Sequence, residues 1–469
     1  MKYKFAGGGL LNKHNSPKLQ KFKENNNKRK VIVTAIILSV LLLSGVYLYS
    51  SFAVFSEEKN FNVINGTVSD PGDIYFAYYV DGEITRDLPA QGSGYTLDIE
   101  KSNCTNGVTV NWDENTYSAI ITYSKYNVED YTRTRCNLYF KKLEVSAIDY
   151  IKKLSKYNIE TLARDEVGGN IRYIGANPDN YVNIDGELWR IIGVMNNIDD
   201  GTGNKSNRIK LIKNESIGAY SWDSSDSTVN SGLGVNEWSQ ADLMKLLNPG
   251  YESETVGGSL YWNSGSGNCY NGKNNATTTC DFTKSGLKEN LKGLIDDVVW
   301  NTGSNGSDLL FNEIVTSKFY ELERSSNNGK ICSSGDYCND VVTRTTTWKG
   351  KVGLMYPSDY GYATSGGSPT DRATCLNTKL GHWDSSSVRT CYLNDWLYKN
   401  GSIWQITPAA NSSYYYKYGN GVFCIAETSA MGDEFTALAF NVFPVVYISS
   451  SAKITSGIGS KESPFIFGL

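Results

Sequence analysis

Histidine is nearly absent from this chain: 469 residues hold two, and only His382 lies beyond the N-terminal tail. None of the nine cysteines stands in a CxxC spacing. The residue types and intervals that hold zinc are therefore missing. Ser and Asp are plentiful, but no motif gathers them around the one remaining histidine, so the pattern of a hydrolytic triad is missing as well. No EF-hand loop occurs, because no run of oxygen ligands ends in the bidentate Glu such a loop requires. Basic charge is also scarce outside the tail. Of 45 basic and 49 acidic residues, nine basic and one acidic (Glu24) lie in the first 30, which leaves 36 against 48, a net of −12. A surface so poor in Lys and Arg excludes a phosphate-binding partner, so no nucleic acid is expected.

What is present starts with residues 31–50, VIVTAIILSVLLLSGVYLYS, twenty residues without a charge behind the basic head KFKENNNKRK. At about 1.5 Å rise per residue such a helix covers the roughly 30 Å hydrocarbon core of a bilayer. The basic side of the run is held in the cytosol, and the first charges after it are acidic, Glu57 and Glu58. The expected layout is a cytosolic tail over 1–30, a transmembrane signal anchor over 31–55, and an exported remainder. Ser51-Phe52-Ala53 offers small residues to a signal peptidase. The apolar run exceeds the ~7–15 residues of a cleavable signal, so an uncleaved anchor is the favoured reading. With ESPFIFGL at the C-terminus lacking an apolar tail and basic stop, the membrane helix is expected to be the sole anchor.

All nine cysteines fall in the exported part, where disulfides persist. Their intervals suggest local pairs: Cys269 with Cys280, Cys332 with Cys338, Cys375 with Cys391, and across a longer span Cys104 with Cys136. Cys424 is left as a free thiol.

Over 59–142 short segments alternate apolar and polar residues (DIYFAYYVDGEIT, GYTLDI, GVTVNW, YSAIITYS, CNLYF), with Asp81-Gly82 suited to a tight hairpin. A small all-β sandwich is predicted there, stapled by Cys104 and Cys136. In SAIDYIKKLSKY the period changes: Ile148, Ile151 and Leu154 recur at three-residue spacing behind Ser146 and Asp149, which predicts a linking helix within 143–168. From 169 to 469 an α+β domain is predicted. ELWRIIGVM and RIKLIKNESIG form a hairpin around a long polar loop, and helices are expected at 239–247 and 286–300.

Several residues invite a chemical reading. Asp199, Asp200 and Asn204 carry hard oxygens that suit calcium, although a solvated hairpin loop is favoured. Asn394, Asp395 and Trp396, with His382 and Trp383, combine amide, carboxylate and indole groups as a sugar site does, and core packing is the competing account of the tryptophans. Among 32 tyrosines, the run Tyr414, Tyr415 and Tyr416 suits a recognition surface or local packing. Glu160, Asp165 and Glu166 read as a solvated acidic helix end. No catalytic residue, metal or cofactor is assigned.

The phrases IGANPDNYVNIDGELWRIIGV, RIKLIKNESIG, WKGKVGLMYPSDYGYA, TCLN…CYLNDWLY, WQITP and VFPVVYISSSAKITSGIGSKESPF together resemble an uncharacterised family of membrane-anchored surface proteins of Gram-positive-type gut bacteria. That resemblance covers most of 140–469 and, less specifically, CTNGVTVNWDE…RCNLYF in the β-domain. It implies a C-type-lectin-like fold, distantly similar to formylglycine-generating-enzyme domains, with no established activity. Members often carry Arg just before the proline of the C-terminal strand, where this chain has Phe443. The function expected is a cell-surface binding or interaction protein whose ligand is a glycan or a surface protein, displayed through the 31–55 helix. The alternatives are an exported enzyme of the formylglycine-generating class, which requires a reactive cysteine, and a structural envelope protein.

Overall fold

A computed structural model describes residues 74–113, 116–123, 134–223, 234–251, 266–269, 278–281, 286–303, 314–325, 345–399, 401–409 and 421–469. The tail and the apolar run, Cys332, Cys338 and the 414–416 tyrosines lie outside the described residues. Among the described residues no helix is long and apolar enough to cross a membrane. The fold is mixed α and β with strands predominating, and the chain divides into two compact units. One ends at Lys141; the other takes residues 90–95 and everything from Lys142 on.

The first unit is all-β among its described residues. Strand Ile74–Val80 turns back into Glu83–Thr85 through Asp81 and Gly82, both at positive φ (51° and 87°). Two consecutive left-handed residues give a turn whose twist matches paired strands, and Asp-Gly reaches it at low cost. Ile74–Val80 also pairs in parallel with Thr134–Lys142, which is flanked by Asn103–Cys104 and Tyr95–Leu97. Alternate residues Cys136, Leu138 and Phe140 are buried, as period-two patterning requires. A separate hairpin, Val108–Asp113 with Ser118–Tyr123, forms a second small sheet. Cys104 stands opposite Cys136 in the ladder, and the two are joined by a disulfide.

The helix of the 143–168 segment spans Ala147–Leu154, with Ser146 accepting from the Asp149 N–H at 3.3 Å and Ile148 and Ile151 buried. The segment is built into the second unit. Val145–Ser146 pairs with Lys453–Ser456, and Leu162–Arg164 pairs with Ile171–Tyr173.

The second unit holds a ten-stranded sheet whose centre is the antiparallel hairpin Glu187–Asp199 and Lys205–Lys213. Val445–Ile448 and Val352–Gly353 extend one side. Tyr181–Ile184, Phe465–Gly468, Lys453–Ser456 and Val145–Ser146 extend the other. A five-stranded sheet runs Ala219–Ser221, Ala439–Asn441, Ile403–Pro408, Gly421–Ile425, Met431–Phe435. Trp189, Trp222, Trp238, Trp300, Trp383 and Trp404 are fully buried, so tryptophan here is chiefly a core residue.

Two helix predictions resolve differently. In 239–247 a short helix, Asp242–Leu247, buries Leu243, Leu246 and Leu247. In 286–300 only Glu289–Leu294 is helical; Val298–Asn301 is a strand paired with Thr347–Gly350. The β-branched Val298-Val299 pair followed by Trp300 fits a half-buried strand better than a helix, and tertiary pairing decides the matter.

Candidate functional site

Beside Cys391 the second unit carries a cluster of short helices. Arg372–Asn377 begins at Asp371, whose side chain accepts from the Thr374 N–H at 2.8 Å. A disulfide from Cys375 to Cys391 ties this helix to Thr390–Leu393. His382 is exposed at the end of a single 3₁₀ turn. Its neighbour Trp383 is fully buried, with its ring 5.0 Å from that of Tyr360. Asn394 is half-buried. Asp395 and Trp396 are both 3% exposed, and the Trp396 indole N–H donates to the Tyr173 carbonyl at 2.9 Å. The five residues His382, Trp383, Asn394, Asp395 and Trp396 therefore do not share one exposed face. Neither indole lies open for a sugar ring to cover, because the apolar surface of both is spent on the core.

Asp395 is nonetheless unusual. One carboxylate oxygen accepts from the Leu397 N–H at 2.8 Å, while the other is buried without a hydrogen-bond partner. Burial pushes this carboxyl well above the usual carboxylate range.

The face of Trp396 is occupied by Arg190. The guanidinium carbon lies 4.5 Å from the Trp396 ring centre and 4.3 Å from that of Tyr181, a cation held between two aromatic faces. Its Nε donates to Asn180 Oδ1 at 2.7 Å, and Nη2 donates to Pro178 O at 3.1 Å and Asn177 Oδ1 at 3.3 Å. All three acceptors are neutral. Burial pulls the guanidinium down to about 10. Lys399, three residues beyond Trp396, is half-buried and makes no ion pair with any described residue. Burial, and next the charge of Arg190, pull its ammonium down to about 8.

A second concentration of charge lies inside, with Arg324 at its partly exposed edge. Arg172 donates to Asp165 at 3.0 Å and to Asp359 at 2.5 Å, and Lys210 pairs with the other oxygen of Asp359. Glu323 accepts from the Ser358 N–H at 2.8 Å and its hydroxyl at 2.6 Å, and pairs with Arg324 at 2.8 Å. Tyr356, Tyr447 and Trp300 surround the Lys210 ammonium at 4.0, 5.5 and 5.6 Å. Three cations meet three anions, so the cluster balances. Asp165 is thus no part of a solvated acidic end: it is 2% exposed and also accepts from Asn170.

The Asp199, Asp200 and Asn204 oxygens and amide serve the hairpin loop itself. Asp199 accepts from the Gly201 N–H at 2.7 Å, and Asp200 from the N–H and hydroxyl of Thr202 at 2.7 and 2.6 Å. Asn204 donates to the Thr202 hydroxyl at 2.9 Å. Cys424 is a free thiol, buried in the ladder opposite Trp404, and burial pushes it well above the usual thiol range. A thiol so held is not a nucleophile at neutral pH. Cys269 and Cys280 fall on the paired strands Ser266–Cys269 and Thr278–Asp281.

Arg190, Lys399 and the Arg172–Asp359 cluster were not among the residues expected from sequence. A signal was present for the first: Arg190 interrupts the apolar run LWRIIGV, and a charge inside a buried strand requires a compensating environment. No family model, curated protein or solved structure matches this chain.

Proposed function

We propose that this chain is a cell-surface binding or interaction protein. In this reading a helix at 31–55 holds it in the membrane with the N-terminus cytosolic, a sandwich-like β-unit serves as stalk, and a C-type-lectin-like second unit engages a glycan or surface protein. The observation carrying the reading is the arrangement around Arg190, where a buried cation is stacked between Tyr181 and Trp396 and satisfied only by neutral oxygens. A fold that serves only as scaffold gains nothing by keeping a charge out of water without a counter-charge. The rigid disulfide-tied helices nearby lower the ordering cost of binding. An exported oxidase of the formylglycine-generating class is supported less well, because it requires reactive cysteines. Here Cys375 and Cys391 are bonded to each other and Cys424 is buried.

The test uses the full chain. Protease shaving of intact cells should release the second unit, and the detergent-solubilised protein should bind members of a glycan array or the surface of partner cells. Failure of shaving overturns the topology. A folded, surface-displayed chain that binds neither glycans nor cells is instead a structural envelope protein.

A further inference from the structure

Independently of what the surface binds, we propose that Asp395 is a pH-sensitive latch: it closes the joint that holds the disulfide-tied helices in acid, and it loosens that joint as pH rises. Asp395 lies where three segments meet. Its backbone makes one parallel ladder pair with Gly175, two residues after strand Ile171–Tyr173, and one antiparallel pair with Thr364, just after helix Pro357–Ala363. Its N–H donates to the Tyr392 carbonyl at 3.2 Å, and its own carbonyl accepts from the Tyr398 N–H at 3.2 Å. On either side the Asn394 carbonyl accepts from the Ser365 N–H at 3.0 Å, and the Trp396 indole donates to the Tyr173 carbonyl at 2.9 Å. Helix Thr390–Leu393, which leads into the joint, carries Cys391 and so the disulfide to Cys375.

The carboxyl group inside this joint is served on one side only. Oδ1 accepts from the Leu397 N–H at 2.8 Å, whereas Oδ2 is buried with no hydrogen-bond partner, and Asp395 forms no ion pair among the described residues. A neutral carboxyl tolerates one idle oxygen at modest cost. An ionised one, 3% exposed and without a counter-charge, is far more costly. Closing the joint therefore favours the proton, in keeping with the upward displacement that burial causes. Opening it lets water reach the group, which then ionises near its ordinary value of about 4. One proton separates the closed and opened forms, and linkage fixes the sign. Closure is firmest below about pH 4 and weakens above it, the opened population growing by up to about tenfold per pH unit until the buried group itself ionises. Trp396 follows directly in the chain, so opening also loosens the ring that faces Arg190.

The other charged and titratable groups around the joint leave the interval from pH 5 to 7 to Asp395. Helix Pro357–Ala363 contributes Tyr360, and the chain from 390 to 399 contributes Tyr392, Tyr398 and Lys399. Tyr173 stands two residues before Gly175, Arg372 donates to the Thr364 carbonyl at 3.0 Å, and Arg190 faces Trp396. Phenols and guanidinium groups ordinarily titrate near 10 and above 12, well beyond this interval. Burial pulls Arg190 down only to about 10. Burial, and next the charge of Arg190, pull Lys399 down to about 8, still above it. Asp359 in the buried cluster, held at about 2, is ionised throughout.

The experiment is hydrogen exchange read by mass spectrometry on the full solubilised chain, disulfides intact, between pH 5 and 7, with rates corrected for the intrinsic pH dependence of exchange. In the native chain the amides of 390–398 should exchange faster than those of strand Lys205–Lys213 and should lose about tenfold or more in protection across the interval. Asp395→Asn puts a neutral amide of nearly the same shape in place of the carboxyl, and its 390–398 protection should be the same at both ends. Every other titratable group, His382 included, is common to both chains, so the difference between them belongs to Asp395. Unchanged protection of 390–398 in the native chain overturns the latch, and so does an equal loss in Asp395→Asn. Equal protection of 390–398 and Lys205–Lys213 at each pH means that the joint opens only when the whole unit unfolds, which overturns it too. If Asp395→Asn does not fold, the native chain decides by itself: a local tenfold loss supports the latch and a flat profile overturns it.

Discussion

Arg172 and Asp359, 187 residues apart in sequence, meet in the core at 2.5 Å with both side chains about 1% exposed. Asp359 is the hinge of the contact. Its carboxylate also takes Lys210 and accepts from the Tyr356 N–H at 2.9 Å, which starts the helix Pro357–Ala363. One carboxylate thus links strands Ile171–Tyr173 and Lys205–Lys213 to that helix.

Replacing Asp359 by Asn should be among the most damaging changes to this unit. Two buried cations lose their shared counter-charge, and breaking a buried pair in this way costs about 3–5 kcal/mol. Denaturant unfolding of the purified chain measures the loss. A loss under about 1 kcal/mol would mean that the cluster is solvated or that Lys210 is neutral.

The same carboxylate sets an acid limit. Burial pushes it up, but Lys210 and Arg172 outweigh burial and hold it down to about 2. A carboxylate lowered on folding adds stability that is complete above its unfolded value, near 4, and is lost as pH falls toward 2. The thermal midpoint of the native chain should therefore decline between about pH 4 and 2 more steeply than that of Asp359→Asn, whose curve lacks this contribution. Parallel curves would remove Asp359 from the acid response.

The contrast between these residues and the legible parts of the fold is physical. The Asp81-Gly82 turn, the helix Ala147–Leu154 and the hairpin Glu187–Asp199 with Lys205–Lys213 rest on local rules, and their sequences announce them. Residues 286–300 show the boundary of that legibility, because the switch from helix to strand at Val298 depends on pairing with Thr347–Gly350. The disulfides Cys104–Cys136 and Cys375–Cys391 were readable from spacing. Exposure was not. Trp383 and Trp396 look alike on the page whether they sit in the core or on a binding face, and the partner that settles Trp396, the Tyr173 carbonyl, lies 223 residues away. Arg190 was visible as a charge in an apolar strand, but the ring that faces it from Trp396 was not.

Thiol chemistry should follow burial. In the native chain Cys424 should resist alkylation at neutral pH and react only on unfolding, and non-reducing peptide maps should show Cys104 linked to Cys136 and Cys375 to Cys391. Opening the Cys375–Cys391 loop by a double change to Ser should cost roughly 3 kcal/mol on the chain-entropy model. Rapid labelling of native Cys424, or its linkage to Cys375 or Cys391, would reopen the case for redox chemistry.

Turn strain offers a check on the first unit. Gly82 stands at φ +87° with no atom within 4 Å of an added Cβ, so Gly82→Ala meets no clash and is penalised by backbone conformation alone. A left-handed residue other than Gly costs about 1–2 kcal/mol, and the unfolding free energy of the first unit should drop by that amount. A neutral result would mean that the turn relaxes to another type.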